Sequence, residues 1–134
     1  MAEHPNVEIV KRGFDAFVAG DVEWLSEHLH ENIVWHMPGS HAFAGDYKGR
    51  EAVLAVFAKQ AQAFQPDFEV HDVLANDDHA VALMLNRRVR RDNGEALEGR
   101  QVFVFHVDAQ GRALEAWVMN EDQAAVDRWL EGVR

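Results

Sequence analysis

The sequence predicts an α+β domain: a helical first half, a strand-rich second half and a short closing helix. Three observations carry that reading. Apolar residues recur at helical spacing early in the chain, with Val7, Val10, Phe14, Phe17 and Val18 on one face. From Asp67 onward the period changes to two, the spacing of a half-buried strand. The strands follow the helices rather than alternating with them, which argues against βαβ units. At 134 residues and 48% hydrophobic content, the chain suits one domain spanning 1–134 with its own core.

Each element has a local reason. The first helix is expected from Pro5 to Ala19, with proline suited to its first turn and Gly20 to its end. Asp21 can cap a short second helix carrying Trp24, Leu25, His28 and Leu29. Asn32 to Met37 is β-branched and aromatic, and reads as a strand. Pro38 to Lys48 reads as a loop of small and turn-forming residues. A third helix starts near Gly49, turns Val53, Val56, Phe57, Gln60 and Phe64 inward, and ends at Pro66. Phe68, Val70 and Leu74 then alternate with other side chains up to a turn at Asn76-Asp77-Asp78. Ala80 to Arg91 and Leu97 to Val107 are long strands joined by a hairpin at Asp92-Asn93-Gly94. After the turn at Ala109-Gln110-Gly111 comes a last strand, Ala113 to Asn120. A closing helix to Leu130 would rest on Val126, Trp129 and Leu130.

Composition excludes several functions. No cysteine is present, which removes disulfides, thiolate zinc sites and cysteine nucleophiles and fits a reducing, cytoplasmic setting. The opening Met-Ala-Glu-His-Pro-Asn has no basic or apolar leader region, and no apolar run is long enough to span a bilayer. A formal charge of −10 repels phosphate backbones and acidic membranes, so neither nucleic acid nor membrane is an expected partner.

Three stretches carry a family resemblance. They are Phe14-x-x-Phe17-x-x-Gly20-Asp21-x-x-x-Leu25; Val34-Trp35-His36-Met37-Pro38-Gly39 followed by Gly45-x-Tyr47-x-Gly49-Arg50-Glu51-Ala52-Val53; and Gly111-Arg112-Ala113-Leu114-Glu115-x-Trp117 running into Glu121-Asp122. In this order they resemble the nuclear transport factor 2-like superfamily, within it the SnoaL-like polyketide cyclase and ketosteroid isomerase group. The resemblance implies a cone: three N-terminal helices packed on a curved antiparallel sheet, a short C-terminal helix and a pocket for a small apolar organic ligand between them. It implies no cofactor. It does not by itself name an activity, since one fold carries many.

By the resemblance, His36 falls where ketosteroid isomerases carry their catalytic base, and an imidazole can do acid–base work near neutral pH. The rest of that machinery is absent: the oxyanion-holding tyrosine falls near Gly13 and the protonated aspartate near Phe103. Tyr47 and His41 stand in the loop expected across the pocket mouth, where tyrosine could donate to a ligand oxygen or simply pack. Gln101, Phe103 and Phe105 share a strand face, with Ala116, Val118 and Asn120 as counterparts on the last strand. With Trp35 they would form a mostly apolar ligand-binding wall holding neutral polar handles. A one-residue shift of frame would instead turn Glu115, Trp117 and Met119 inward.

Two histidines five apart across a Pro-Gly turn do not make a metal site, and none is expected. Asp72 is in phase with Phe68 and Val70, so it needs either Arg88 as a partner or a β-bulge that turns it outward. The similar limonene-epoxide hydrolases need a second aspartate where Val118 stands here. Arg87-Arg88-x-Arg90-Arg91 reads as a solvated strand edge. Apolar residues on the other face of the late strands, Val102, Val104, Trp117 and Met119, call for cover, and a homodimer is the simplest. Two functions remain open: a cofactor-free isomerase, cyclase or hydrolase using His36, or a non-catalytic ligand-binding or dimerisation module with the same pocket.

Overall fold

The computed structural model describes residues 3–134. Met1 and Ala2, which open the segment read as lacking a leader, lie outside the described residues. The elements in order are α1 (Pro5–Ala19), α2 (Val22–His28), β1 (Leu29–Met37), β2 (Gly45–Lys48), α3 (Arg50–Ala63), β3 (Phe64–Ala75), β4 (His79–Arg90), β5 (Ala96–Val107), β6 (Ala113–Asn120) and α4 (Gln123–Trp129). No helix is long and apolar enough to cross a membrane among the described residues.

The helix ends follow the local chemistry. Pro5 opens α1, and Gly20 closes it at a φ of 70°, a left-handed conformation that glycine adopts without steric cost. The Asp21 carboxylate accepts the Trp24 N–H at 3.1 Å and starts α2. Two helices then pass into strands with no intervening turn: α2 runs into β1 at Leu29, and α3 into β3 at Phe64. Both strands are therefore longer than their residue types alone predict. Pro66 lies inside β3 instead of ending α3. This is tolerated because β3 is an edge strand, where a missing N–H breaks no ladder bond on the open side.

The six strands form one curved sheet in the order β2-β1-β6-β5-β4-β3. All neighbouring pairs are antiparallel except β1 and β6, which run parallel. The chain travels through five other elements between them, so the long return a parallel pair requires is available. The short strand β2, inside the expected loop, pairs Tyr47 with Trp35 and Asp46 with His36.

α1 lies against β3, and α3 lies against β1, which builds one core over the concave face. Phe14 meets Phe68, Phe103 and Phe105 at centroid distances of 5.2, 5.0 and 6.4 Å. Ile33 and Val53 are fully buried beneath α3 and β1. α4 closes one end with Val126, Trp129 and Leu130 buried, as the sequence predicts. Gly111 is required where α1 crosses the β5–β6 turn: its φ is 76°, and a Cβ there would sit 2.7 Å from the Ile9 Cδ1.

Two expectations about β3 and β4 resolve here. A bulge falls between Val70 and Asp72, so Val70 pairs with Met84 and Asp72 with Leu83. The alternation shifts by one, and Asp72 and Leu74 turn to solvent while Val73 turns in. Asp72 and Arg88 form no pair. The arginine run is not a solvated edge, since β4 is flanked by β5 and β3. Arg87 and Arg91 are exposed, but Arg88 and Arg90 point inward and are buried. Arg90 is satisfied there, donating to the Trp129 and Glu131 carbonyls at 2.7 and 2.9 Å and to Asp92 at 2.9 Å.

Candidate functional site

Between α1–α3 and the concave sheet lies a cavity of about 140 Å³. A space of that order suits one aromatic ring. Its apolar wall is built by Phe14 and Phe17 of α1, Phe57 of α3, and Phe103 and Phe105 of β5. Trp35 completes it from β1, edge-on to Phe57 at 4.9 Å.

The polar side of the cavity is a set of neutral groups plus one cation. Asn86 and Arg88 reach it from β4, Gln101 from β5 and Asn120 from β6. The amides form a chain: Asn86 Nδ2 donates to Gln101 Oε1 at 2.8 Å, and Gln101 Nε2 donates to Asn120 Oδ1 at 2.8 Å. Asn120 Nδ2 donates to Gln123 Oε1 at 2.9 Å, and Gln123 Nε2 donates to Asp127 Oδ1 at 3.0 Å. Among the described residues, no carboxylate lines the cavity. Arg88 is 5% exposed and lies over the Trp129 ring at 5.3 Å. Burial pushes its pKa down to about 10, so it stays charged at neutral pH.

The wall residues expected from the sequence lie where the cavity is. Trp35, Gln101, Phe103, Phe105, Val118 and Asn120 all line it, as does His41 in the mouth loop. The strand frame is thus the one that turns Phe103 inward, with Trp117 and Met119 on the other side. Tyr47 is placed differently. Its hydroxyl donates to the Phe43 carbonyl at 2.9 Å, which ties the mouth loop to itself, and the ring packs on the core without lining the cavity.

His36 stands on the opposite face, which corrects the expectation that it enters the pocket. Side chains alternate along β1, so when Trp35 points in, His36 must point out. There its Nδ1 is 2.7 Å from Asp46 and its Nε2 is 2.6 Å from Glu115, and the ring stacks on Trp117 at 5.4 Å. Carboxylates only accept, so both ring nitrogens donate and the ring has no free lone pair. Hydrogen bonds to Glu115 and then Asp46 raise its pKa above the usual histidine value.

Two other histidines do line the cavity. His41 accepts the Phe43 N–H through Nδ1 at 3.1 Å, and desolvation lowers its pKa, so it is held neutral with its proton on Nε2. His28, at the end of α2, has Nδ1 2.8 Å from the Trp24 carbonyl and stacks on the Trp24 ring at 3.7 Å. A carbonyl can only accept, so Nδ1 carries a proton and the lone pair the ring can offer is on Nε2. Sequence reasoning missed His28, Asn86 and Arg88 as site residues. The alternation of β4 was the available signal: Asn86 and Arg88 are in phase with Ala82 and Met84, which the core needs. Among the described residues, no group of three or more acidic, histidine or cysteine side chains is arranged to hold a metal.

Comparison with known proteins agrees with this architecture. The model of the SnoaL-like domain family matches residues 10–116. A protein of Mycobacterium tuberculosis described as uncharacterised is 30% identical over 95% of this chain and 97% of its own. Among solved structures, Bal32a from a soil-derived mobile gene cassette is similar with a TM-score of 0.82 and 33% identity, covering 94% of this chain and 96% of that one. A nuclear transport factor 2-like protein from Burkholderia xenovorans gives a TM-score of 0.86 at 23% identity, covering 98% and 99% of the two chains. The chain belongs to the SnoaL-like domain family.

Proposed function

We propose that this protein binds a small, largely apolar organic molecule in the cavity between α1–α3 and the concave face of the sheet. The observation that supports this best is the composition of the cavity: an aromatic wall with a few polar groups gathered on one side, the make-up of a small-molecule site. A thermal-shift and native mass-spectrometry panel of aromatic ketones, lactones and epoxides tests it. Binding should vanish in Val118→Trp, which fills the cavity. A ligand that binds wild type and Val118→Trp equally sits elsewhere, and the reading fails.

A catalytic reading, cofactor-free acid–base chemistry of the isomerase, cyclase or hydrolase kind, is favoured by a different observation. His28 lines the cavity with Nε2 as a free acceptor, held in that tautomer by the Trp24 carbonyl. His36, committed to two carboxylates on the other face, is poorly placed for this work. For any substrate that is turned over, His28→Ala should lower kcat about 100-fold or more, while His36→Ala leaves it within a few-fold. The reverse result would return the chemistry to His36.

We also infer that two copies pair through the outer face of the sheet. Ladder partners there form two apolar rows, Val81–Val104–Trp117 and Leu83–Val102–Met119. Leu83 and Met119 are 37% and 46% exposed and belong to the second row, and a contiguous apolar patch of this kind marks an interaction surface. Light scattering should report a dimer for wild type and a monomer for Val102→Lys at the centre of the patch. A wild-type monomer at about 100 μM overturns the dimer, since a Kd weaker than that leaves only marginal pairing.

A further inference from the structure

Arg88 is the least explained charge in the molecule. It is 5% exposed, and its Nε has no hydrogen-bond partner. Among the described residues it forms no ion pair; the one carboxylate the sequence offers it, Asp72, is turned to solvent by the β3 bulge. Two residues away on the same inward face, Asn86 is 3% exposed and its Oδ1 is also unpartnered. Both residues line the cavity. A buried charge without a counter-charge is costly, and so is a buried amide oxygen without a donor. One ligand could satisfy both.

The direction of the amide chain fixes what Asn86 offers. Asp127 only accepts, and it accepts from the Ser40 N–H and hydroxyl as well as from Gln123. Gln123 must therefore turn its amino group toward Asp127 and its oxygen toward Asn120. The same logic passes through Asn120 and Gln101 to Asn86, because reversing any one amide sets two oxygens or two amino groups face to face. Asn86 spends its amino group on Gln101 and is left with an oxygen. The pair thus presents a cationic donor and a neutral acceptor side by side.

Resting on the ligand-binding reading, we propose that Arg88 and Asn86 form a recognition site for an acidic aromatic or enolic ligand. The anionic oxygen, of a carboxylate or an ionised enol, is taken by the Arg88 guanidinium, and a hydroxyl on the same end of the molecule donates to Asn86 Oδ1. The aromatic wall holds the ring, so that the cavity selects a small ring compound by its charged end. This site lies on the inner face of β4 and owes nothing to His36.

Isothermal titration at pH 7.5 with benzoate, 3-hydroxybenzoate and benzamide tests the assignment, because all three are ring-sized and differ only in the groups at issue. Benzoate should bind about 10-fold or more tightly than benzamide, as expected for a charge-assisted hydrogen bond formed in a dry site. Arg88→Met should erase that preference. 3-Hydroxybenzoate should gain several-fold over benzoate in wild type and lose that gain in Asn86→Leu. Equal binding of benzoate and benzamide by wild type overturns the site while leaving the ligand-binding reading in place, and this comparison needs no variant to fold. A preference for benzoate that survives Arg88→Met also overturns it. Failure of all three compounds to bind overturns the site, while the ligand-binding reading stands or falls on the ketone, lactone and epoxide panel.

Discussion

His36 on the outer face of the central sheet and Arg88 on the inner face are opposite cases. On the outer face, His36 is held between Asp46 and Glu115, and every polar atom of its ring is spent on the protein itself. On the inner face, Arg88 is more deeply buried and has no counter-charge, while Asn86 beside it has an unpartnered oxygen. A polar group saturated by its neighbours contributes to the fold and has little left for a ligand. A buried polar group left unsaturated weakens the fold, and its presence makes physical sense when something outside the chain completes it. The family resemblance points to His36; the hydrogen-bond inventory points to the other face.

The largest effect that can sharpen this contrast lies in the packing. Phe103 and Val104 are neighbours in sequence and face opposite ways. Phe103→Ala removes the ring that meets Phe14 at 5.0 Å and should cost about 3–5 kcal/mol. Val104→Ala on the half-buried outer face should cost the monomer no more than about 1.5 kcal/mol. Urea unfolding of the two variants reads the difference. Equal losses would mean that the outer face is as much a core as the inner one.

The next effect is one of sign. Arg88→Met replaces a buried, uncompensated guanidinium by an apolar side chain of similar reach, and should raise stability by about 1–2 kcal/mol in the absence of ligand. Most substitutions of buried residues do the opposite. A loss of stability in urea unfolding would mean that the packing of Arg88 over Trp129 outweighs its desolvation, and that the residue is structural.

Most of the fold was legible because its signals are local. α1 begins at a proline and ends at a glycine, and β4 and β5 alternate cleanly on either side of their hairpin turn. Alternation puts Gln101, Phe103 and Phe105 on one face of β5, and the resemblance chose that face as the inward one, the face that is buried. The failures come from effects that residue order does not carry. The bulge at Val70–Asp72 shifts phase by one, and no glycine or proline marks it. The short strand β2 exists only because β1 lies beside it. His36 was misplaced because its position was taken from a resemblance, while alternation from the apolar Trp35 put it on the outer face. Arg88 was misread because a run of four arginines in five residues looks like a surface, although on a strand every second one must face inward.

The smallest effect tests whether His36 belongs to the fold. Its partners raise its pKa, so the folded state binds this proton more tightly than the unfolded state does. The resulting stabilisation is complete below the unfolded value of 6.5 and is lost as pH rises through the raised folded value. The ring is 28% exposed and Asp46 is 63% exposed, so the contribution should be below about 1 kcal/mol. Wild type should therefore exceed His36→Asn in melting temperature by the largest margin below pH 6.5, and the margin should shrink as pH rises. Added salt should narrow the gap further, since the pair is partly exposed. A margin that grows with pH would mean that the neutral ring is the form the fold prefers, leaving a lone pair on the outer face and reopening His36 as a base.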